Sequence, residues 1–150
     1  MANLRRFDVS VTKARNDPSG RSDFLMLACA SSRALAHASN QQLLQQGFLL
    51  AQACETEIDD DMTDYGQCIG HAVDRIAGQK SVLLGVHFQA WLMADLAARQ
   101  NSTHALALRM QHAQGMAKHM RATKITLDQL CQAKQMRCES IKDRLAQRLQ

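Results

Sequence analysis

Apolar positions recur along this chain at helical spacing. Leu43, Gly47, Leu50, Cys54 and Ile58 follow steps of four, three, four and four residues, which puts them on one stripe of a helix. The stretch that carries them starts at Ser22 or Asp23, either of which can cap a helix, and runs to about Ile58 with Gly47 as its only glycine and no proline. Glu55, Glu57, Asp59, Asp60, Asp61 and Asp64 then crowd like charges together, which predicts a break or bend between Asp59 and Gly66. A shorter helix over about 63–77 carries Ile69, Ala72 and Ile76 on one side, and Gly78 stands where a helix C-terminal glycine belongs.

The next helix, from about Ser81 to Gln100, is apolar almost all round. Leu84, Phe88, Trp91, Leu92 and Leu96 make one face, while Leu83, Val86, Ala90, Met93 and Ala97 cover much of the other. Such a helix is either buried centrally or docked on something greasy. Displayed outward, its first face is a candidate surface for an apolar partner. After the capping residues of Asn101-Ser102-Thr103, no proline interrupts the chain from Thr103 to Leu149. Leu106, Met110, Ala113, Ala117, Met120, Lys124, Leu127, Cys131, Lys134, Cys138, Ile141 and Leu145 fall on heptad a and d positions, the pattern of a coiled-coil seam with two lysine interruptions. A continuous helix of ~47 residues is ~70 Å long at 1.5 Å per residue, so the pattern predicts an elongated molecule.

Residues 1–22 read as a flexible basic arm ahead of a helical domain over 23–150, because the only proline lies in Asp17-Pro18-Ser19-Gly20. Phe7, Val9 and Val11 alternate with polar residues, but a lone strand has no partner to pair with. One Pro, seven Gly and six aromatic residues in 150 are too few for the turns of a β sandwich or barrel, whereas Ala, Leu, Gln, Met and Arg abound. The fold class expected is all-α, an elongated antiparallel helical bundle with a long C-terminal coiled-coil-like helix.

Charge is uneven. Residues 1–22, 23–103 and 104–150 carry +3, −5 and +6, which together give the net +4. The basic last segment either pairs internally with the acidic turn or offers a face to an anionic partner. Arg109, Lys118, Arg121, Lys124, Arg137, Lys142, Arg144 and Arg148 provide the electrostatic footprint of a nucleic-acid binder, without aromatic residues to stack on bases. Five cysteines and no secretory apolar region near Met1 are read as a reducing, cytoplasmic setting. The 17 residues Val82–Ala98 include His87, Gln89 and Asp95 and fall short of the roughly 20 apolar residues of a membrane span.

The chemistry-bearing residues give no catalytic constellation. Cys68, His71 and Asp74 repeat every three residues, a spacing that spirals off one helix face and lacks a fourth metal ligand. Cys131 and Cys138, like His112 and His119, stand seven apart, roughly 10 Å along a continuous helix and too far for one metal. The cysteines are read as small hydrophobes in the seam and the histidines as solvated. No Glu-x-x-His, Gly-rich phosphate loop, Gly-x-Ser-x-Gly elbow or Cys-x-x-Cys occurs. No enzyme activity, cofactor or metal is therefore expected.

From Ser31 to about Met120 the chain resembles the phasins, helical proteins that coat bacterial polyhydroxyalkanoate granules. The resemblance rests on Ala36-His37-Ala38-Ser39-Asn40-Gln41-Gln42 opening an Ala- and Gln-rich helix, on Gln79-Lys80-Ser81 before an apolar helix bearing Phe88-Gln89, and on the Ala-rich helix after Asn101. It implies a non-enzymatic amphiphile whose apolar faces lie on a hydrophobic granule, with oligomerisation through coiled-coil segments. The chain is also similar to the coiled-coil stalk proteins of flagellar and type III secretion systems, which implies an adaptor, chaperone or export-stalk role. On the first reading the contact residues are Leu84, Phe88, Trp91, Leu92 and Leu96. On either reading the self-association seam is Leu106, Met110, Met120, Leu127, Ile141 and Leu145. The partner is another copy of the chain, another helical protein or an apolar granule surface, with nucleic acid as a further alternative.

Overall fold

A computed structural model describes residues 38–76, 79–100 and 102–145, and among them no strand forms. The chain is all-α. Helix α1 spans Asn40–Ala53 and starts from a capping box: the Ser39 hydroxyl accepts from the Gln42 N–H at 3.2 Å, and the Gln42 side chain accepts from the Ser39 N–H at 2.9 Å. The earlier part of the helix expected from Ser22, and the basic arm, lie outside the described residues. A 3-10 turn over Cys54–Glu57 ends α1, and the chain reaches α2, Thr63–Arg75, through Met62 in the left-handed region (φ 68°). A break thus falls at the acidic run, but the α-helix ends at Ala53 and not near Ile58, and Asp64 and Gly66, expected in the break, lie inside α2.

Helix α3, Lys80–Arg99, is the axis of the fold. It packs most extensively on α1 and on α4, Thr103–Thr123, to which a short link joins it. Its all-round apolarity has a structural reason, since two cores share it. Val82, Val86, Ala90 and Ala94 join Leu50, Tyr65, Ile69 and Leu108 in one. Leu84, Phe88 and Trp91 join Phe48, Met116, Ile125, Leu130, Ile141 and Leu145 in the other. Lys80–Arg99 is long and apolar enough to cross a membrane, but 78% of its most apolar stretch is buried within the fold. Where α1 crosses α3, Gly47 and Gly85 lie backbone to backbone. A Cβ on Gly47 would meet Gly85 Cα and Val86 N at 2.8 Å, closer than real Cβ contacts come. Only glycine allows that approach.

The long last helix does not form. Helix α4 stops at Lys124 (φ 61°), α5 covers Leu127–Lys134 and stops at Gln135 (φ 58°), and α6 covers Glu139–Leu145. Both stops are left-handed caps made without glycine. Restart at Thr126 is driven by a second capping box, the Thr126 hydroxyl accepting from the Gln129 N–H at 3.2 Å. Half of the heptad positions, Ala113, Ala117, Cys131, Cys138, Ile141 and Leu145, are buried, but they are divided among three separate helices, with Cys138 just ahead of α6, and do not form one supercoiled seam. At 21 residues, α4 is about 32 Å long.

The break also changes the cysteines. With the helix broken at Gln135, the Cα atoms of Cys131 and Cys138 lie 5.7 Å apart and the pair is disulfide-bonded; Cys54 and Cys68 form a second disulfide that ties the 3-10 turn to α2. Four of the five cysteines are therefore cross-links here and not free apolar thiols, while Cys29 lies outside the described residues.

Candidate functional site

Three of the five residues expected on an outward apolar face are core. Leu84, Phe88 and Trp91 are 0% exposed, Leu92 is partly buried, and only Leu96 reaches solvent, at 46%. Of the expected seam, Ile141 and Leu145 are buried, Met120 and Leu127 are half-buried, and Leu106 and Met110 are exposed at 45% and 50%. The physical reason is the same in both cases: the broken C-terminal segment folds over the face of α3 that a straight helix would have left open.

Leu96, Leu106 and Met110 are, with Ile58, the large apolar side chains most open to water among the described residues. The chief charged group of the fold lies at the end of α3. Asp95 is 2% exposed, and its two carboxylate oxygens accept from Arg109 Nη1 at 2.9 Å and from Arg144 Nε and Nη2 at 3.1 and 3.0 Å, with Arg99 Nε at 3.5 Å. One carboxylate thus gathers guanidinium groups from α3, α4 and α6. A buried carboxylate is tolerable only when paired and hydrogen-bonded, as this one is. Helices α3 and α4 meet through His87, His112, Gly115 and His119, while α1 lies against Gly85 on the other side of α3. At about 100° per residue Leu96 therefore falls on the α1 flank of α3, and Leu106 and Met110 fall on the side of α4 turned away from α3.

Acidic residues gather where α2 meets α4. A Cβ on Gly66 would touch Leu108 at 3.1 Å and His104 at 3.7 Å, so the start of α2 lies against the start of α4. Asp61 accepts from the Thr63 N–H at 3.0 Å, and its pKa is held down chiefly by its hydrogen bonds to Thr63, with help from His104. Asp59 is pushed up by desolvation and by Asp61 beside it.

Between α3 and α4 three imidazoles meet. His87 Nδ1 lies 3.1 Å from His112 Nδ1, and the His87 ring stacks on His119 at 5.5 Å. The His87 ring lies over Gly115, where a Cβ would come within 2.7 Å of it. Burial lowers the pKa of His87 to about 3, helped by His112, His119 and Lys118, and that of His112 to about 4. The Nδ1–Nδ1 bond needs one ring to donate and the other to accept, so the accepting ring is neutral, and the lowered pKa values keep the donor neutral as well at pH 7. His112 and His119 were expected to be solvated; the side of α4 that faces His87 buries His112 and half-buries His119. No group of three His, Cys, Asp or Glu among the described residues could hold a metal ion, and His71 and Asp74 stand exposed. A small cleft of about 190 Å³ between α1 and the α4–α5 connection, lined by Asn40, Gln41, Lys124, Gln129 and Gln132, brings amides together without a nucleophile or acid–base pair.

The chain matches no protein-family profile, no curated protein and no solved structure. What the molecule does must be argued from this geometry.

Sequence reasoning missed Asp95 as an organising residue. Its signal was available, because a lone acidic residue on an otherwise apolar helix implies a buried partner, and the basic residues sit downstream in the chain.

Proposed function

We propose that this protein is a non-enzymatic helical binding protein that docks on an apolar surface or partner through Leu106 and Met110 on the outer side of α4. The observation that carries the reading is that these two side chains, about one turn apart on α4, stand 45% and 50% exposed while Leu84, Phe88 and Trp91 of α3 are core. The phasin-like mode, an amphiphile resting on a hydrophobic granule, is retained with its contact residues moved to Leu106 and Met110, while Leu84, Phe88 and Trp91 act from within as the support. The adaptor or stalk reading loses its main prop when the heptads are divided among α4, α5 and α6. Cytoplasmic residence belongs with the granule reading; the two disulfides favour an oxidising compartment, and thiol labelling of the protein in its native cells decides between them.

The test is adsorption to uncharged hydrophobic particles, followed by co-sedimentation. Leu106→Ser with Met110→Ser is expected to reduce adsorption at least tenfold while the helical signal and the Trp91 emission of the free protein stay unchanged. Adsorption unaffected by the two substitutions would sink the reading. Trp91→Ala serves as the contrast, since loss of a fully buried indole is expected to cost about 3–5 kcal/mol of stability and to change the fold itself.

A further inference from the structure

We propose that the contact of His87 with His112 and His119 is an acid-operated latch: protons taken up there free the second half of α4 from α3 and bare the apolar face of Leu84, Phe88 and Trp91, while α1, α2 and α3 stay together. The device does not use Leu106 or Met110. Three observations carry it, of which the first is the fit. His87 Nδ1 and His112 Nδ1 make one hydrogen bond at 3.1 Å, the His119 ring stacks on His87, and Gly115 leaves the room that the His87 ring fills. One proton added to the pair can keep that bond, but it buries a charge; a second turns the two Nδ1 atoms into donors facing each other.

The second observation is that no neighbouring group offsets such a charge. The groups acting on His87 are His112, His119 and Lys118, and those acting on His119 are Lys118 and Lys80; none is a carboxylate. Helix α1 contains no titratable residue, Lys134 of α5 lies over the Phe48 ring, Arg144 of α6 is bound to Asp95, and Asp61 ahead of α2 faces His104, about two turns before His112. Burial thus holds His87 and His112 uncharged in the closed fold, with pKa values of about 3 and 4, and ordinary values return only where water reaches them. The third observation is place. Leu84, Phe88 and Trp91 share a core with Ala113 and Met116 of α4. The crossing of α1 on α3 at Gly47 and Gly85, the Cys54–Cys68 disulfide and the core around Leu50, Tyr65 and Ile69 hold no buried histidine, and the start of α4 belongs to that half through Ala105 and Leu108. A state that opens only the histidine contact takes up the same protons as the unfolded chain while giving up fewer other contacts, so acid favours it first. Half-buried His119, beside exposed Lys118, marks where water enters.

The test is hydrogen exchange of the full chain at pH 7 and pH 5, read by fragment mass spectrometry and corrected for the pH dependence of the intrinsic rate. The second half of α4, about twelve residues from His112 to Thr123, is too short to stay helical once detached, so its amides report the opening. With pKa values moving from about 3 and 4 to about 6.5 on opening, exchange there is expected to become about 500-fold easier at pH 5, and exchange in α1 and α2 less than about tenfold easier. His112→Gln should cut the α4 rise to about 25-fold. In the unsubstituted protein the ring nitrogen shifts at pH 6 should show His87 and His112 neutral, a readout that needs no variant. An equal gain in α1, α2 and α4 would mean that protons unfold the whole chain, and would overturn the latch. So would no gain in α4, a gain that His112→Gln leaves untouched, or rings already charged at pH 6.

Discussion

Acidification from pH 7 to pH 5 should destabilise this protein far more than its surface charge alone would. The reason is the pair His87 and His112, which burial holds neutral in the fold with pKa values near 3 and 4. In the unfolded chain each titrates near 6.5. Between those values the unfolded state binds the protons, so stability is fully present above about pH 6.5 and falls as pH drops toward the folded-state pKa values. At pH 5 each histidine is about 1.5 units below its unfolded pKa, which at 1.36 kcal/mol per unit amounts to ~2 kcal/mol apiece and ~4 kcal/mol for the two. Set against a total stability of about 5–15 kcal/mol, that is a large fraction. The geometry agrees in sign, because a proton added to both rings would turn the 3.1 Å Nδ1–Nδ1 bond into two donors facing each other, with Lys118 close by and adding repulsion. Urea unfolding followed by Trp91 fluorescence at pH 7, 6 and 5 measures the slope directly, and His112→Gln is expected to remove about half of it. A stability that stays flat to pH 5, or a slope untouched in His87→Gln with His112→Gln, refutes the reasoning.

Other outcomes follow from single features. Gly85→Ala places a methyl 3.0 Å from Gly47 Cα and against the Leu44 carbonyl, and should cost about 3 kcal/mol or more by thermal unfolding. Asp95→Asn leaves Arg99, Arg109 and Arg144 without their shared anion; because all three reach water, the loss should fall near the lower end of the usual 3–5 kcal/mol, and Arg144→Ala should show less. Gln135→Gly relieves a left-handed backbone and should raise stability by up to about 1 kcal/mol in equilibrium unfolding. Replacing Cys131 and Cys138 by Ser should cost about 2–3 kcal/mol, read as a lower urea midpoint, with the α-helical signal largely kept.

The parts of the fold that the sequence revealed are those set by local rules. Like charge at Asp59–Asp64 marked a break, and the apolar run of Ser81–Gln100 marked a helix within one residue at each end. The C-terminal heptads were legible as burial but not as geometry, because a seven-residue apolar repeat records which positions meet a core and is silent on whether the helix between them is continuous. The signal against continuity was Thr126-x-x-Gln129, a start pattern in mid-run, matched by Ser39-x-x-Gln42 at α1. Nothing local marks Lys124 and Gln135 as helix ends, since neither is glycine. The docking residues were half legible: Leu106 and Met110 were singled out as heptad positions, but their exposure depends on which side of α4 meets α3, and that is fixed by the contact of His87 with His112 across the helix turnaround.

The central position of α3 has a consequence for the order of folding. Its partner α4 follows after a link of only a few residues, so that antiparallel pair closes a short loop and can form early, at little cost in chain entropy. Both disulfides likewise join residues 14 or fewer positions apart. The crossing of α1 on α3 is the contact made at longer range, and it depends on two bare backbones meeting at Gly47 and Gly85. A substitution there should therefore act mainly on the unfolding rate, leaving the early hairpin intact, while one at the His87–His112 contact should slow folding itself. Loop length thus predicts assembly outward from α3, with the contact that brings Arg144 to Asp95, 49 residues apart, forming after the α3–α4 hairpin.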